Sequence, residues 1–147
     1  MMPIIRLLEQ EDLTNYLQLL QQLTEIGTIN EADLLKQFEL VKHNPLHHIY
    51  LVEYDGHIVG CGTLLIEPKF IHQLCFVAHI EDVVIDCNYR NHRFGTTLLN
   101  FLIDQAKACA CYKVILNCSD AIVPFYSKCG FERSNNEMSI YFNLLVR

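Results

Sequence analysis

Apolar residues change their spacing along the chain, and the change separates helices from strands. Leu13, Leu17, Leu20 and Leu23 recur every three or four positions after Asp12, which predicts a helix capped by that Asp and ended by Gly27. Leu34, Leu35, Phe38 and Val41 repeat the pattern behind a second cap, Asn30. Ile4 to Leu8 reads as a short opening strand. His48 to Tyr54 and His57 to Ile66 are β-rich runs flanking Asp55-Gly56, the signal of a two-residue hairpin. Cys75 to Ile85 is almost continuously apolar, as a central strand would be. Helical spacing returns after Gly95, with Leu98, Leu99, Leu102, Ala106 and Cys109 on one stripe. Lys113 to Cys118 predicts a further strand, and Pro124-Phe125-Tyr126 a short helix closed by Gly130. Phe131 to Arg133 and Met138 to Leu145 read as two last strands, with Ser134-Asn135-Asn136-Glu137 as the turn between them. The order β-α-α-β-β-β-α-β-α-β-β describes a mixed α/β sheet with flanking helices, in a single domain over residues 1–147.

Composition narrows the class. A chain of 147 residues that is 51% apolar and 19% charged can bury one full core. Its net charge of −6 argues against general nucleic-acid binding, which needs clustered Lys and Arg. No apolar run is long enough to span a bilayer, and Met1 to Arg6 has neither the basic nor the long apolar region of a secretion signal. Seven cysteines, several of them in strand-like runs (Cys61, Cys75, Cys118), fit free thiols in a reducing compartment, so a cytoplasmic protein without nucleic-acid or membrane partners is expected. Cys109-Ala110-Cys111 and His47-His48 lack paired metal-ligand spacing, and no metal is expected. Cys118 and Cys129 have no sequence partner that would make them nucleophiles, and read as core thiols.

The chemistry concentrates where the apolar strand ends. Arg90-Asn91-His92-Arg93-Phe94-Gly95-Thr96 turns directly into the helix, so backbone N–H groups, the helix dipole and local positive charge converge there. Such a turn can cradle a phosphate or pyrophosphate; the alternative is an ordinary strand-to-helix turn. Just upstream, Glu81 and Asp82 are strand neighbours, so their side chains are expected on opposite faces of the sheet. Glu81 suits a proton acceptor, acting directly or through water; the alternative is a solvated carboxylate at a strand bulge.

This element order, with Arg-x-x-x-x-Gly between the fourth strand and the third helix, resembles the GCN5-related N-acetyltransferase (GNAT) fold, a mixed and mostly antiparallel central sheet. The likeness is closer still to the glucosamine-6-phosphate N-acetyltransferase family. It is carried by Leu23 to Thr28, Lys69-Phe70-Ile71-His72, His79 to Val84, Cys111 to Leu116 and Phe125 to Phe131. The resemblance implies transfer of acetyl from acetyl-CoA to the 2-amino group of glucosamine 6-phosphate, a step toward UDP-N-acetylglucosamine, in a homodimer. It implies that Val83, Val84, Arg90, Asn91, His92, Arg93, Phe94, Gly95, Thr96, Tyr126 and Lys128 serve acetyl-CoA. For the amino sugar phosphate it points to Thr24, Lys69, Phe70, Ile71, His72, Glu81, Asp82, Tyr112, Lys113 and Asn117. Within that scheme the Asp82 carbonyl orients the amine, and the Tyr126 phenol stabilises or protonates the departing thiolate.

The chain departs from the family pattern at four positions. Arg93 stands at the inner glycine position of the pyrophosphate turn, where close approach and positive φ favour glycine. Asn117 replaces an acidic residue, Tyr141 an Arg that contacts substrate in some members, and Ile122 an Asn near CoA. Two rival readings therefore accompany the first: the same fold acetylating another small amine, and a CoA-binding or interaction domain without turnover.

Overall fold

The structure, a computed structural model, describes residues 1–142. These fall into two compact units, residues 1–116 and the segment from Asn117 onward. The first unit is a five-stranded sheet in the order β1 (Ile4–Leu7), β2 (His47–Tyr54), β3 (His57–Pro68), β4 (Phe76–Ile85) and β5 (Cys111–Ile115). The first four strands pair antiparallel and β5 joins β4 in parallel, the mixed and mostly antiparallel sheet expected from the sequence. Asp55 and Gly56 (φ 51° and 75°) form the expected hairpin turn, since both central residues of a type I′ turn need positive φ.

Helices α1 (Leu13–Leu20) and α2 (Glu31–Lys42) belong to one face of the sheet. Tyr16 and Leu19 of α1 pack on Leu51, Cys61 and Val84, one cross-strand row. Asn30 caps α2 as expected, its Oδ1 accepting from Ala32 N (2.8 Å) and Asp33 N (3.2 Å). Asp12 does not cap α1. Its carboxylate instead accepts from Arg6 Nη1 (2.7 Å) and Nη2 (2.9 Å) and from Glu9 N, tying the helix start to β1.

Helix α4 (Phe94–Ala108) covers the opposite face. Leu98, Leu99 and Leu102 are fully buried, and a Cβ on Gly62 would lie only 3.1 Å from Leu102 and 3.3 Å from Leu98. Helix and strand approach closely there because that position has no side chain.

Several elements differ from the sequence reading. α1 stops at Leu20 because Gln22 and Leu23 tighten the chain into i→i+3 bonds; Gly27 (φ 74°) turns the loop that follows. Cys109 is exposed, not buried: α4 ends at Ala108, and Ala110 (φ 57°) reverses the chain. That tight turn lets β5 begin at Cys111, two positions before the expected Lys113, and end before Cys118, which is exposed. In the second unit α5 (Val123–Lys128) forms as expected, with Gly130 at φ 100°. No strand forms among the described residues 131–142, where Met138, Ile140 and Phe142 are exposed. Alternation makes a strand only where a neighbouring strand takes up the backbone groups. The remainder of the last expected strand, residues 143–145, lies outside the described residues.

Candidate functional site

The irregular part of β4 creates the site. Cys61 pairs with Val84 and Thr63 with Glu81, so two β4 residues, Asp82 and Val83, stand opposite Gly62 alone. This is a β-bulge, and Asp82 occupies it with φ 50°. A regular strand would send Glu81 and Asp82 to opposite faces. Through the bulge both line one cavity on the α1–α2 side, of about 640 Å³, which corrects the expectation from simple alternation. Glu81 is half-buried there and Asp82 exposed. Val83 turns to the α4 side beside Gly62, and Val84 to the α1 core.

β4 also outruns its parallel neighbour. The last pair with β5 is His79–Ile115, so from Ile80 onward β4 has no β5 partner. Where one parallel strand outruns the other, backbone N–H groups are left along a wedge, and such groups can polarise a bound carbonyl.

The cavity is mixed in character. Leu13, Leu17, Leu34 and Phe38 supply apolar wall from the helices. Its acidic groups are Asp33, Glu81 and Asp82; His47 is its only imidazole, and neither Lys nor Arg lines it among the described residues. Burial raises the Tyr16 phenol pKa above the ordinary value, with Cys61 and Asp82 adding to the effect and Thr63 opposing it. Tyr16 is therefore a neutral donor at physiological pH. The buried Cys61 thiol donates to the Asp82 carbonyl (3.6 Å), and burial pushes its pKa up to about 12, so it too stays protonated. The carbonyl that the resemblance assigns to amine orientation thus has a thiol partner at the bulge. Burial, and then His48, lower the His47 imidazole, while Asp82 acts in the opposite direction.

Beyond β4 the turn expected to bind an anion takes shape. A single 3-10 stretch, Cys87–His92, opens with Asp86 accepting from Asn88 N (2.9 Å). Arg90 Nε donates to Ile85 O (3.3 Å), and His92 stacks on Phe94 at 5.2 Å. Arg93 lies in the left-handed region (φ 60°, ψ 23°) as the residue before α4. The backbone thus adopts the conformation for which glycine is favoured, at a cost of roughly 1–2 kcal/mol for an L-residue. Asn91 and Arg93 are exposed, and Gly95 and Thr96 lie in the first turn of α4, where backbone N–H groups have no intrahelical acceptor.

The remaining sequence candidates are distributed over several places. α3 (Ile71–Leu74) is a left-handed turn, with His72, Gln73 and Leu74 at φ 46°, 59° and 62°. It exposes Phe70 and Ile71 and stacks His72 on Tyr112 of β5 at 4.4 Å. Lys69 Nζ lies 3.8 Å from Glu67, which also binds His79 Nε2 at 3.0 Å. Lys113 is exposed on β5, and Thr24 is exposed after α1. In the second unit Tyr126 is buried, edge-on to Phe125 and Phe131, and burial raises its phenol pKa, with Cys118 and Cys129 contributing. It therefore remains a proton carrier at neutral pH. Asn117 and Lys128 are exposed, as are Ile122 and Tyr141.

Sequence reasoning brought Glu81 and Asp82 to this cavity and missed Tyr16, Asp33, His47 and Thr63. The i, i+2 alternation of His47, Ile49 and Leu51 would have placed His47 on the helix-covered face, had the strand been started one residue earlier. Among the described residues no group of three or more His, Cys, Asp or Glu is arranged to hold a metal ion.

A bulged β4 that outruns its parallel neighbour, followed by a turn with two Arg residues at a helix start, is the arrangement expected of an acetyl-transferring sheet. Residues 11–131 match the Acetyltransferase (GNAT) family, and the chain belongs to it. A glucosamine 6-phosphate N-acetyltransferase of Arabidopsis thaliana is 37% identical over 95% of this chain and 96% of its own length. One from Dictyostelium discoideum is 39% identical over 86% and 82%. The crystal structure of the Arabidopsis enzyme superposes with a TM-score of 0.90 at 36% identity, over 97% of this chain and 99% of that one. A Trypanosoma brucei acetyltransferase gives 0.88 at 34% identity, over 96% and 100%.

Proposed function

We propose that the protein is a glucosamine 6-phosphate N-acetyltransferase, moving acetyl from acetyl-CoA to the sugar 2-amino group as one acetyltransferase domain. The observation that carries this reading is the β4 bulge, which aims Glu81 and Asp82 into one cavity of a chain whose full-length relatives have that activity by name. Glu81 and Asp82 hold the arriving ammonium, and its proton leaves through water before the nitrogen attacks. The wedge at the end of β4 takes the thioester, whose carbonyl is polarised by N–H groups near Val83 and Val84. Arg90 to Thr96 receives the diphosphate of the cosubstrate, and Lys128 adds positive charge to it. Positioning supplies much of the acceleration, because two bound reactants no longer meet by diffusion. Tyr126, kept protonated by burial, gives its proton to the departing thiolate. Lys69, His72 and Lys113, with Thr24, Phe70, Ile71, Tyr112 and Asn117, serve the sugar phosphate. The protein acts as a homodimer, and the exposed Phe70, Ile71 and Leu74 support this assignment. Its product enters UDP-N-acetylglucosamine synthesis in the cytoplasm, a compartment that suits seven free thiols.

A second reading, an unphosphorylated cationic amine as acceptor, is favoured by one observation. The cavity is lined by three carboxylates, and no Lys or Arg lines it among the described residues. One experiment separates the two: CoA release with acetyl-CoA and glucosamine 6-phosphate, glucosamine, glucose 6-phosphate or spermidine. Turnover confined to glucosamine 6-phosphate supports the first reading; preference for glucosamine or spermidine supports the second. If no amine is acetylated, both are wrong. Tyr126→Phe then tests the thiolate role, and turnover that stays unchanged removes it.

A further inference from the structure

His47 has no task in the scheme above. It opens β2, its cross-strand neighbour is Leu65, and Leu65 lies opposite His79 on β4. The adjacent row on the same face is Ile49, Thr63 and Glu81. The imidazole therefore shares a face and a cavity with Glu81 and Asp82, with β3 between them. Two strand spacings, about 10 Å in all, leave room for a bound acceptor with a water beside it. Half-buried, His47 reaches both the cavity and solvent.

The groups facing it come from every surrounding element. Glu81 and Asp82 of β4 and Asp33 of α2 are acidic, and Tyr16 of α1 stays a neutral phenol. His48 is its neighbour on β2, and His79, in its row, is held by Glu67. Burial, and then His48, hold the imidazole below its ordinary value of 6.5 in spite of Asp82, so at neutral pH it is unprotonated and able to accept.

Acetylation of an amine releases a proton. The acceptor arrives as an ammonium and must lose one proton before its nitrogen attacks the thioester carbonyl carbon. The C–N bond then forms and the C–S bond breaks. The second N–H proton lost from the adduct balances the one gained by the departing thiolate, so one proton per turnover leaves the site. A base works best when its pKa lies near the working pH, and in model peptides imidazole is closer to neutrality than any carboxylate. We propose that His47 takes the ammonium proton, through a water in the cavity, and passes it to solvent, while Glu81 and Asp82 hold the amine. The assignment rests on the amine-acetyltransferase reading.

The test is the pH dependence of kcat/KM for glucosamine 6-phosphate between pH 5 and 9 in the wild type, His47→Gln and His47→Ala. Neutral His47 and the ammonium form of the acceptor are the reactive pair, so wild-type kcat/KM should be bell-shaped, falling on the alkaline side as the ammonium ionises and on the acid side as His47 is protonated. The wild type should therefore hold its activity down to about pH 6.5 and lose it with one proton below that, whereas His47→Gln, which needs the free amine, should fall steadily below the acceptor's own ionisation with no plateau. Turnover at pH 7.5 should fall about a hundredfold in both variants, with KM for acetyl-CoA unchanged, and added imidazole should restore part of it to His47→Ala. A wild-type profile that falls from the acceptor's own ionisation downward, with no plateau above pH 6.5, overturns the proposal without recourse to a variant. So does a plateau with its acid break retained in His47→Gln. In either case wild-type turnover leaves the activity itself standing, whereas absence of wild-type turnover overturns activity and assignment together.

Discussion

Two faces of one sheet, built from the same three strands, have opposite characters. On the α4 side Leu98 and Leu102 close over Gly62, and the helix comes so near that a single added Cβ would crowd it. On the α1–α2 side the row Leu51, Cys61 and Val84 is packed, but the next rows carry Thr63, Glu81 and His47 around an open cavity. The bulge at Asp82 is what separates them. It adds a residue to β4 and brings both carboxylates to the open face, while Val83 stays on the closed one. One face provides rigidity and the other lines a cavity with polar groups, so damage to each should register in a different measurement.

The sharpest contrast comes from the closed face. Leu102→Ala should cost about 2–5 kcal/mol of stability by leaving a cavity between helix and sheet, read as a lower urea midpoint. A loss well under 1 kcal/mol would mean the face is looser than its burial implies. On the open face, Glu81→Gln should lower kcat about a hundredfold or more while moving the urea midpoint little. A variant that unfolds instead would make Glu81 part of the scaffold and erase the contrast.

A smaller effect is expected at the edge of the open face. The Arg6 guanidinium, hydrogen-bonded to Asp12, holds that carboxyl below its ordinary value, with the Glu9 N–H helping and burial opposing. A depressed carboxylate stabilises the fold above its unfolded pKa, near 3.9. That contribution is lost as pH falls through the lower folded value. Asp12→Asn should therefore cost about 1 kcal/mol at pH 7, with the difference shrinking below about pH 4. A difference that grows on acidification contradicts the ion pair. Smallest should be Arg93→Gly: relief of left-handed strain and the added entropy of an unfolded glycine nearly cancel, leaving about 0.5 kcal/mol or less. KM for acetyl-CoA should nevertheless rise severalfold through the lost charge, and an unchanged KM would remove Arg93 from diphosphate contact.

The contrast between the faces was only half legible in the chain. Leu98, Leu99 and Leu102 announce the closed face by helical spacing alone, because a packed stripe needs nothing except the right period. The open face hides its residues. His47 precedes the run that reads as a strand, Asp33 sits in the first turn of a helix, and Tyr16 lies among leucines. They meet because α1 and α2 fold back over the same sheet face, a contact between segments far apart in the chain. Of the candidate residues, the Arg90 to Thr96 turn, Glu81, Asp82 and Tyr126 were all marked by motif; the partners that tune the carboxylates and the imidazole were not.

By itself the sequence determined what local interactions decide: two amphipathic helices, the Asn30 cap, the Asp55-Gly56 hairpin, the strand-to-helix turn and the family that these blocks together resemble. Each depends on residues within a few positions of one another. Tertiary structure alone decided where the regular pattern breaks. The extra residue at Asp82 exists only as a mismatch between two strands, since Cys61 faces Val84 while Thr63 faces Glu81. Period-two alternation along one strand cannot reveal that mismatch, because register is a property of the pair. The missing strands in residues 131–142 teach the same lesson from the other side. Alternating apolar residues declare a preference, and only a partner with unpaired N–H and C=O groups turns that preference into a sheet.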